Sequence, residues 1–405
     1  MKITAIETMG FGAIPNILIV RLETDEGLVG LGETYFGPYE VAEYLHTSAA
    51  PLLLGAEASR IDALRIKLKR YVGSRDTGVE SRGNSAVDIA LWDLLGKATN
   101  RPIHDLLGGA TRPSIRVYNT CAGYRYASST KNATGSSAWG LPEPGQPVGP
   151  YEDLQTWMNG GAAELAQSLL EQGVTGMKMW PFDDAAVASG GYEISNADLD
   201  RGLEPFRAVR KAVGEKMDLM VELHALWSPP MALKIAHAFE SEGSKPFWIE
   251  DVVRPEDLAG LAQVAHNTRL PITASELLAG RQQFRELLEA RACSIVMLDL
   301  GWCGGISEGK AVATLAEAFG LPIAPHDCTG PIVWAASCHL SLNAPNGLIQ
   351  EMVRAFWTDW YRELVTGLPI VENGQVRPSP GPGLGVELVP GLAQRRDAVV
   401  RRTAS

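Results

Sequence analysis

Eight short apolar runs recur along this chain, at residues 114–120, 176–180, 218–224, 247–251, 271–276, 294–300, 322–327 and 348–352. At or near their ends stand groups that can hold a cation or move a proton: Lys178, Glu222, His224, Glu250, Asp251, Glu276, Asp299, His326 and Glu351. One acid at such a place says little, because a chain leaving a core commonly exits through polar residues. Three successive runs that end in Glu222, Glu250 and Glu276 say more. Carboxylates crowded at one depth repel, and need protons or a cation between them. Three hard oxygen ligands without a nearby cysteine favour Mg²⁺, with Mn²⁺ as the alternative. Asp299 and His326 lie on the next two runs. An aspartate beside a histidine orients the ring and raises its basicity, which suits a general base. His46, His104, His237, His266 and His339 fall in helical or loop stretches and take no role.

The elements that position these groups follow from the spacing. From the third run onward the starts are 29, 24, 23, 28 and 26 residues apart. That period suits a strand plus a crossover helix, and eight parallel units predict a closed (β/α) barrel. An open doubly wound sheet is the alternative, but no GxGxxG follows the first run. The first 110 or so residues read differently. Strand-forming residues occupy 3–8, 17–23 and 28–34, with a tight turn at Asp25-Glu26-Gly27, and helical patterns follow at 39–53, 59–72 and 81–98. The last presents Ala86, Ile89, Ala90, Trp92 and Leu95 on one face, so this segment reads as α+β. The interval between the first two runs is long, and its 121–152 stretch carries Tyr124, Arg125, Tyr126 and Trp139 among Gly, Ser and Pro. Such a loop is either a lid over the site or a surface insertion. If it is a lid, Arg125 would pair with a carboxylate and the tyrosines with sugar hydroxyls.

Composition narrows the function classes. The 405 residues are 45% apolar and 20% charged, a folded composition, with 36 basic against 47 acidic residues and a net charge of −11. Such a surface repels phosphate backbones and anionic lipid, which argues against nucleic-acid and membrane-surface partners. No apolar run approaches the roughly 20 residues that span a bilayer. No signal-peptide core follows Met1, and the five cysteines form no CxxC pair. A cytoplasmic protein with reduced thiols is therefore expected. The sequon Asn132-Ala133-Thr134 carries no weight in that setting.

Taken in order, these residues resemble the enolase superfamily, in its mandelate-racemase-like branch, over nearly the whole chain. Residues 86–97 (AVDIALWDLLGK) and Leu106-Leu107-Gly108-Gly109 look like the signature of its capping domain. Val221-Glu222, Ile249-Glu250-Asp251 and Ala274-Ser275-Glu276 look like the three metal-ligand strands. Asp299 with Pro325-His326-Asp327 looks like the His–Asp dyad, Gln350-Glu351 like the acid on the last strand, and 381–387 like the C-terminal Pro-Gly segment. The resemblance implies a (β/α)7β barrel at 113–360, an α+β capping domain at 1–112, and a tail at 361–405 returning to that domain. It also implies Mg²⁺, abstraction of the proton beside a substrate carboxylate by a Lys or His base, and a metal-stabilised enediolate. A symmetric homo-oligomer is common in the family. Its specificity loops correspond to 10–14 and 36–44 here.

Two departures sharpen the reading. Many members carry Lys-x-Lys on the second barrel strand, where this chain has Lys178-Met179-Trp180. Trp180 cannot take a proton, which weakens a two-base racemase, and Lys178 is expected to bind the substrate carboxylate. The second departure is Glu222-Leu223-His224, which resembles galactonate- or mannonate-type acid-sugar dehydratases, where that histidine protonates a departing hydroxyl. Residues two apart on a strand share a face, so Glu222 and His224 can both reach the barrel mouth. The resulting expectation is a Mg²⁺-dependent hydro-lyase acting on a sugar acid, aldonate or aldarate. His326 paired with Asp299 would be the base and His224 the acid, and Glu351, if protonated, would donate to the substrate carboxylate. The alternatives are a racemase or epimerase of a 2-hydroxy acid using Lys178 opposite His326, and a catalytically silent protein that binds Mg²⁺ and sugar acids. A lactonising or amino-acid-epimerising relative is disfavoured, because Asp299 stands where those enzymes place a lysine.

Overall fold

Three strands open the chain: β1 (Ile3–Phe11), β2 (Ile14–Thr24) and β3 (Val29–Tyr35), paired antiparallel in that order. The structure is a computed structural model that describes residues 1–69, 77–126, 135–143, 146 and 149–405. The sequon at 132–134 and the end of the 59–72 helical pattern lie outside the described residues. Helix α1 (Gly78–Thr99) packs on this sheet through a face of small residues. A Cβ on Gly32 would lie 1.8 Å from the Ala86 carbonyl oxygen, and one on Gly30 would lie 2.1 Å from that of Ala90. The alanines of the AVDIALWD stretch thus bring helix and strand backbones to direct contact, which no larger pair of residues could reach.

Eight parallel strands follow: β4 (Ile115–Thr120), β5 (Gly176–Met179), β6 (Asp218–Glu222), β7 (Trp248–Glu250), β8 (Ile272–Ala274), β9 (Ile295–Leu298), β10 (Ile323–Pro325) and β11 (Gln350–Met352). They pair in sequence from β4 to β10, and β11 pairs with β4. The ring closes through a parallel bridge between Ile323 and Gly347 and a bond from the Leu348 N–H to the Ile323 carbonyl. The helices between successive strands are α2 (Ala162–Glu171), α3 (Asn196–Val213), α4 (Pro229–Glu242), α5 (Leu258–His266), α6 (Gly280–Glu289), α7 (Gly305–Ala318) and α8 (Pro331–Asn343). This is a (β/α)7β barrel with an N-terminal capping domain. Tyr118, Met220, Trp248, Ile295, Met297, Ala324 and Ile349 fill its interior below the site.

The tail returns to the first sheet, where β12 (Ala398–Ala404) pairs antiparallel with β1. Three buried acids join the layers. Asp93 of α1 accepts from the Leu31 and Leu384 N–H groups, both at 2.9 Å, and so ties helix, sheet and Pro-Gly segment together. Asp88 accepts from the Ser307 N–H and hydroxyl on α7. Glu33 of β3 accepts from the Ile332 and Val333 N–H groups at the start of α8. Unpaired N–H groups at a helix start need such an acceptor. The capping domain is thereby fixed over the carboxyl ends of the barrel strands. Among the described residues the five cysteines are free, and no helix is long and apolar enough to cross a membrane.

Candidate active site

Parallel register places the polar strand ends in one layer. Glu222 stands directly beside Glu250, and Thr120 beside Lys178. The Lys178 ammonium lies 2.6 Å from Glu250 Oε1, 3.0 Å from Glu351 Oε1 and 3.3 Å from Glu222 Oε2. Burial alone would lower its pKa, but Glu250 and Glu351 hold it well above the ordinary lysine value. Lys178 thus sits as a cation paired with three carboxylates. Glu250 also accepts from the Trp248 indole N–H, and Glu222 Oε1 from the His224 N–H. Burial, then the charge of Glu222, pushes the Glu250 carboxyl well up.

Glu276 and Asp251 complete the acidic cluster. Asp251 Oδ2 accepts from the Ser275 hydroxyl at 2.9 Å, while Asp251 Oδ1 and Glu276 Oε2 are buried without a hydrogen-bond partner. Among the described residues, no three His, Cys, Asp or Glu side chains stand at metal-holding spacing, and the Lys178 ammonium supplies the central positive charge instead. The donor chemistry nevertheless fits a hard divalent cation. Four buried carboxylates converge, two of their oxygens lack partners, and no thiolate lies among them. Glu222, Glu250 and Glu276 are the groups that would hold it. Asp251 enters the cluster as a fourth acid; its place at a strand end was visible in sequence, and its left-handed backbone (φ 42°) was not.

Two histidines flank the cluster. His326 Nδ1 is 2.7 Å from Asp299 Oδ2, whose other oxygen accepts from the Gly301 N–H at 2.6 Å. Trp302 lies against the ring, with centroids 5.4 Å apart. Burial would lower the His326 pKa, yet Glu351, Asp299 and Glu276 raise it to about 10. On the opposite side of the ring, His224 Nδ1 is 2.7 Å from Asp183 Oδ2. Asp183, just after β5, was not among the sequence candidates; the only available signal was an acid a few residues beyond a strand end. Burial opposes, but Asp183 and Glu222 raise His224 to about 9, a shift that water tempers because the side chain is 31% exposed. His224 and Ala225 both have positive φ (47° and 56°), strain of the kind that collects at functional sites.

Glu351, expected to donate to the substrate carboxylate if protonated, stands on the last barrel strand with Oε1 3.0 Å from the Lys178 ammonium. Burial would raise its pKa, but Lys178 and His326 hold it below the usual carboxylate range. It accepts from the Thr120 hydroxyl and from the Asp327 N–H, the latter at 2.8 Å. The 121–152 segment is described only in part. Tyr126 and Trp139 pack against Trp180, which lies edge-on to His224. Trp180 is thus one side of an aromatic wall beside His224. Arg125 donates to Gln146 Oε1 at 2.7 Å and lies over Tyr124.

The two raised histidines carry a consequence for stability. A histidine whose folded pKa is raised stabilises fully below its unfolded value of about 6.5, and the contribution is lost as pH rises through the folded value. Without divalent cation, Tm is therefore expected to decline across the window from the unfolded value to the folded values of about 9 and about 10. Calorimetry in chelator across that range checks this, and a level or rising Tm contradicts the electrostatics described.

Comparisons with known proteins agree with this architecture. The signature of the mandelate racemase / muconate lactonizing enzyme N-terminal domain matches residues 4–108, and that of the enolase C-terminal domain-like family matches 161–391. A D-galactonate dehydratase family member of Streptomyces bingchenggensis is 30% identical, covering 97% of this chain and 92% of its own. A D-galactonate dehydratase of Ralstonia nicotianae is 29% identical, covering 98% and 94%. A solved enolase of the mandelate racemase subgroup from Agrobacterium tumefaciens is 47% identical, with a TM-score of 0.87 over 100% of this chain and 99% of that one.

Proposed function

The chain belongs to the enolase superfamily, in its mandelate racemase and muconate lactonizing enzyme branch, and from that membership we propose that it is an acid-sugar dehydratase. It converts a sugar acid to a 2-keto-3-deoxy acid and water. The observation that carries this reading is the pair of His–Asp dyads across the barrel mouth, just beyond β10 and beyond β6, with a buried carboxylate cluster between them. The names of the similar dehydratases support the same class.

His326 in its neutral form takes the α-proton at Nε2, because Asp299 engages Nδ1 and fixes the ring, and a divalent cation on Glu276 would offset one of the carboxylates that raise its pKa. His224, held by Asp183 in the same manner, gives its proton to the 3-hydroxyl, which leaves as water. The electron pair from the broken C–H bond first passes into the substrate carboxylate as an enediolate, then returns to form the C2–C3 double bond when the C–O bond breaks, and the enol tautomerises to the ketone. Lys178 stays protonated and presents positive charge at the floor of the site. Mg²⁺ held by Glu222, Glu250 and Glu276 would supply countercharge for the substrate carboxylate and for the negative charge that develops on it. Lys178, locked among three carboxylates, does not favour the racemase alternative.

The test is a screen of hexonates, pentonates and aldarates with Mg²⁺, scored for 2-keto acid by semicarbazide and for α-hydrogen exchange in D₂O. Turnover of at least one of them is expected, with kcat on the order of 1 s⁻¹ or more. Absence of both signals for every sugar acid would remove the reading.

A further inference from the structure

The capping domain lays a roof over the His326 side of the site. The Thr34 hydroxyl donates to the Gly301 carbonyl at 2.8 Å, the Trp302 indole N–H to the Tyr35 carbonyl, and the Ser81 hydroxyl to the Trp302 carbonyl. These bonds bring Arg82, in the first turns of α1, onto the barrel mouth. Its guanidinium lies 5.5 Å from the Trp302 ring centroid and 6.0 Å from that of Phe36. Phe36 is 40% exposed and non-glycine at φ 68°, so the backbone accepts strain to keep this ring at the rim.

Among the described residues, Arg82 has no counterion. Its Nε is buried without a hydrogen-bond partner, and among those residues it forms no hydrogen bond or ion pair. Asp299 is the carboxylate whose field reaches it, and Asp299 is already engaged by His326 and the Gly301 N–H. Aromatic faces offset only part of the cost of desolvating a guanidinium. The planar fork is suited to a carboxylate, and it contacts the same Trp302 ring that lies against His326.

We propose that Arg82, held against the Phe36 and Trp302 rings, receives a second carboxylate at the far end of the substrate, so that the chain acts on aldarates in preference to aldonates. This rests on the sugar-acid reading above and narrows it. It separates this chain from relatives named for galactonate, whose far end is an uncharged alcohol.

The test compares galactarate and glucarate with galactonate and gluconate, on the wild-type enzyme with Mg²⁺ and on Arg82→Gln and Arg82→Lys. Both kcat/KM and calorimetric binding are measured, with Tm recorded for each variant. The wild type is expected to favour an aldarate by about 30-fold or more, the effect of a charge-assisted pair at a half-buried guanidinium. Arg82→Gln should erase that preference mainly through KM and leave aldonate values within about threefold, with Arg82→Lys between the two. An aldonate preference in the wild type, or equal losses on both classes in Arg82→Gln, overturns the proposal while the dehydratase reading stands. Arg82-dependent binding of dicarboxylates without any turnover supports the subsite and removes the dehydratase reading instead. No binding preference and no turnover overturn the proposal.

Discussion

His326→Asn is expected to abolish both α-hydrogen exchange and dehydration, by about 10³-fold or more, near the upper range for loss of a general base. Asparagine keeps a polar group of similar bulk against Trp302 and Asp299, so the fold should survive and circular dichroism should be unchanged. His224→Asn should separate the two steps. Proton abstraction precedes departure of the hydroxyl, so dehydration falls by about 10²-fold or more while exchange continues. Asp183→Ala should follow the His224 pattern, because it frees the ring whose Nδ1 it holds. Isotope exchange in D₂O, followed by NMR beside the 2-keto acid assay, distinguishes these outcomes. Exchange that persists in His326→Asn would move the base elsewhere, and Lys178, the other strand-end cation facing the cluster, would have to be reconsidered despite its three carboxylate contacts.

The second large effect is expected at Glu250. Glu250→Gln removes one charge from the centre of the acidic cluster and one of the contacts to Lys178. Activity should fall by about 10³-fold or more, because a cation held by two carboxylates in place of three binds weakly and stabilises less developing charge. Metal-free protein should lose stability, since the buried Lys178 ammonium gives up its shortest carboxylate contact and keeps those to Glu351 and Glu222. Metal titration by calorimetry, with Tm read in parallel, tests both statements. Full turnover of the wild type in excess chelator would remove the metal requirement itself.

The strand ends were legible in the sequence because a parallel barrel repeats one simple unit. Each apolar run is buried on both faces, each exit is polar, and a crossover helix sets the interval. The Glu222, Glu250 and Glu276 series, the Asp299 and His326 steps, and His224 two residues after Glu222 all follow from that period. The antiparallel opening of the chain was legible too, although β1 and β2 run longer than the 3–8 and 17–23 patterns suggest, because Gly10 and Phe11 pair with Val399 and Ala398 of the returning tail and Phe11 with Ile14.

What the sequence by itself determined is the periodic frame and the chemical type of the group at each strand end, because burial and chain direction are local consequences of residue order. The tertiary structure alone decided the partners. Asp183 reaches His224 across 41 residues, Glu351 is held ionised by Lys178 and His326 from two other strands, and Arg82 arrives over Trp302 from a different domain. Charge states and contacts of this kind depend on distances between segments remote in the chain, and those distances exist only once the ring has closed and the capping domain has docked on it.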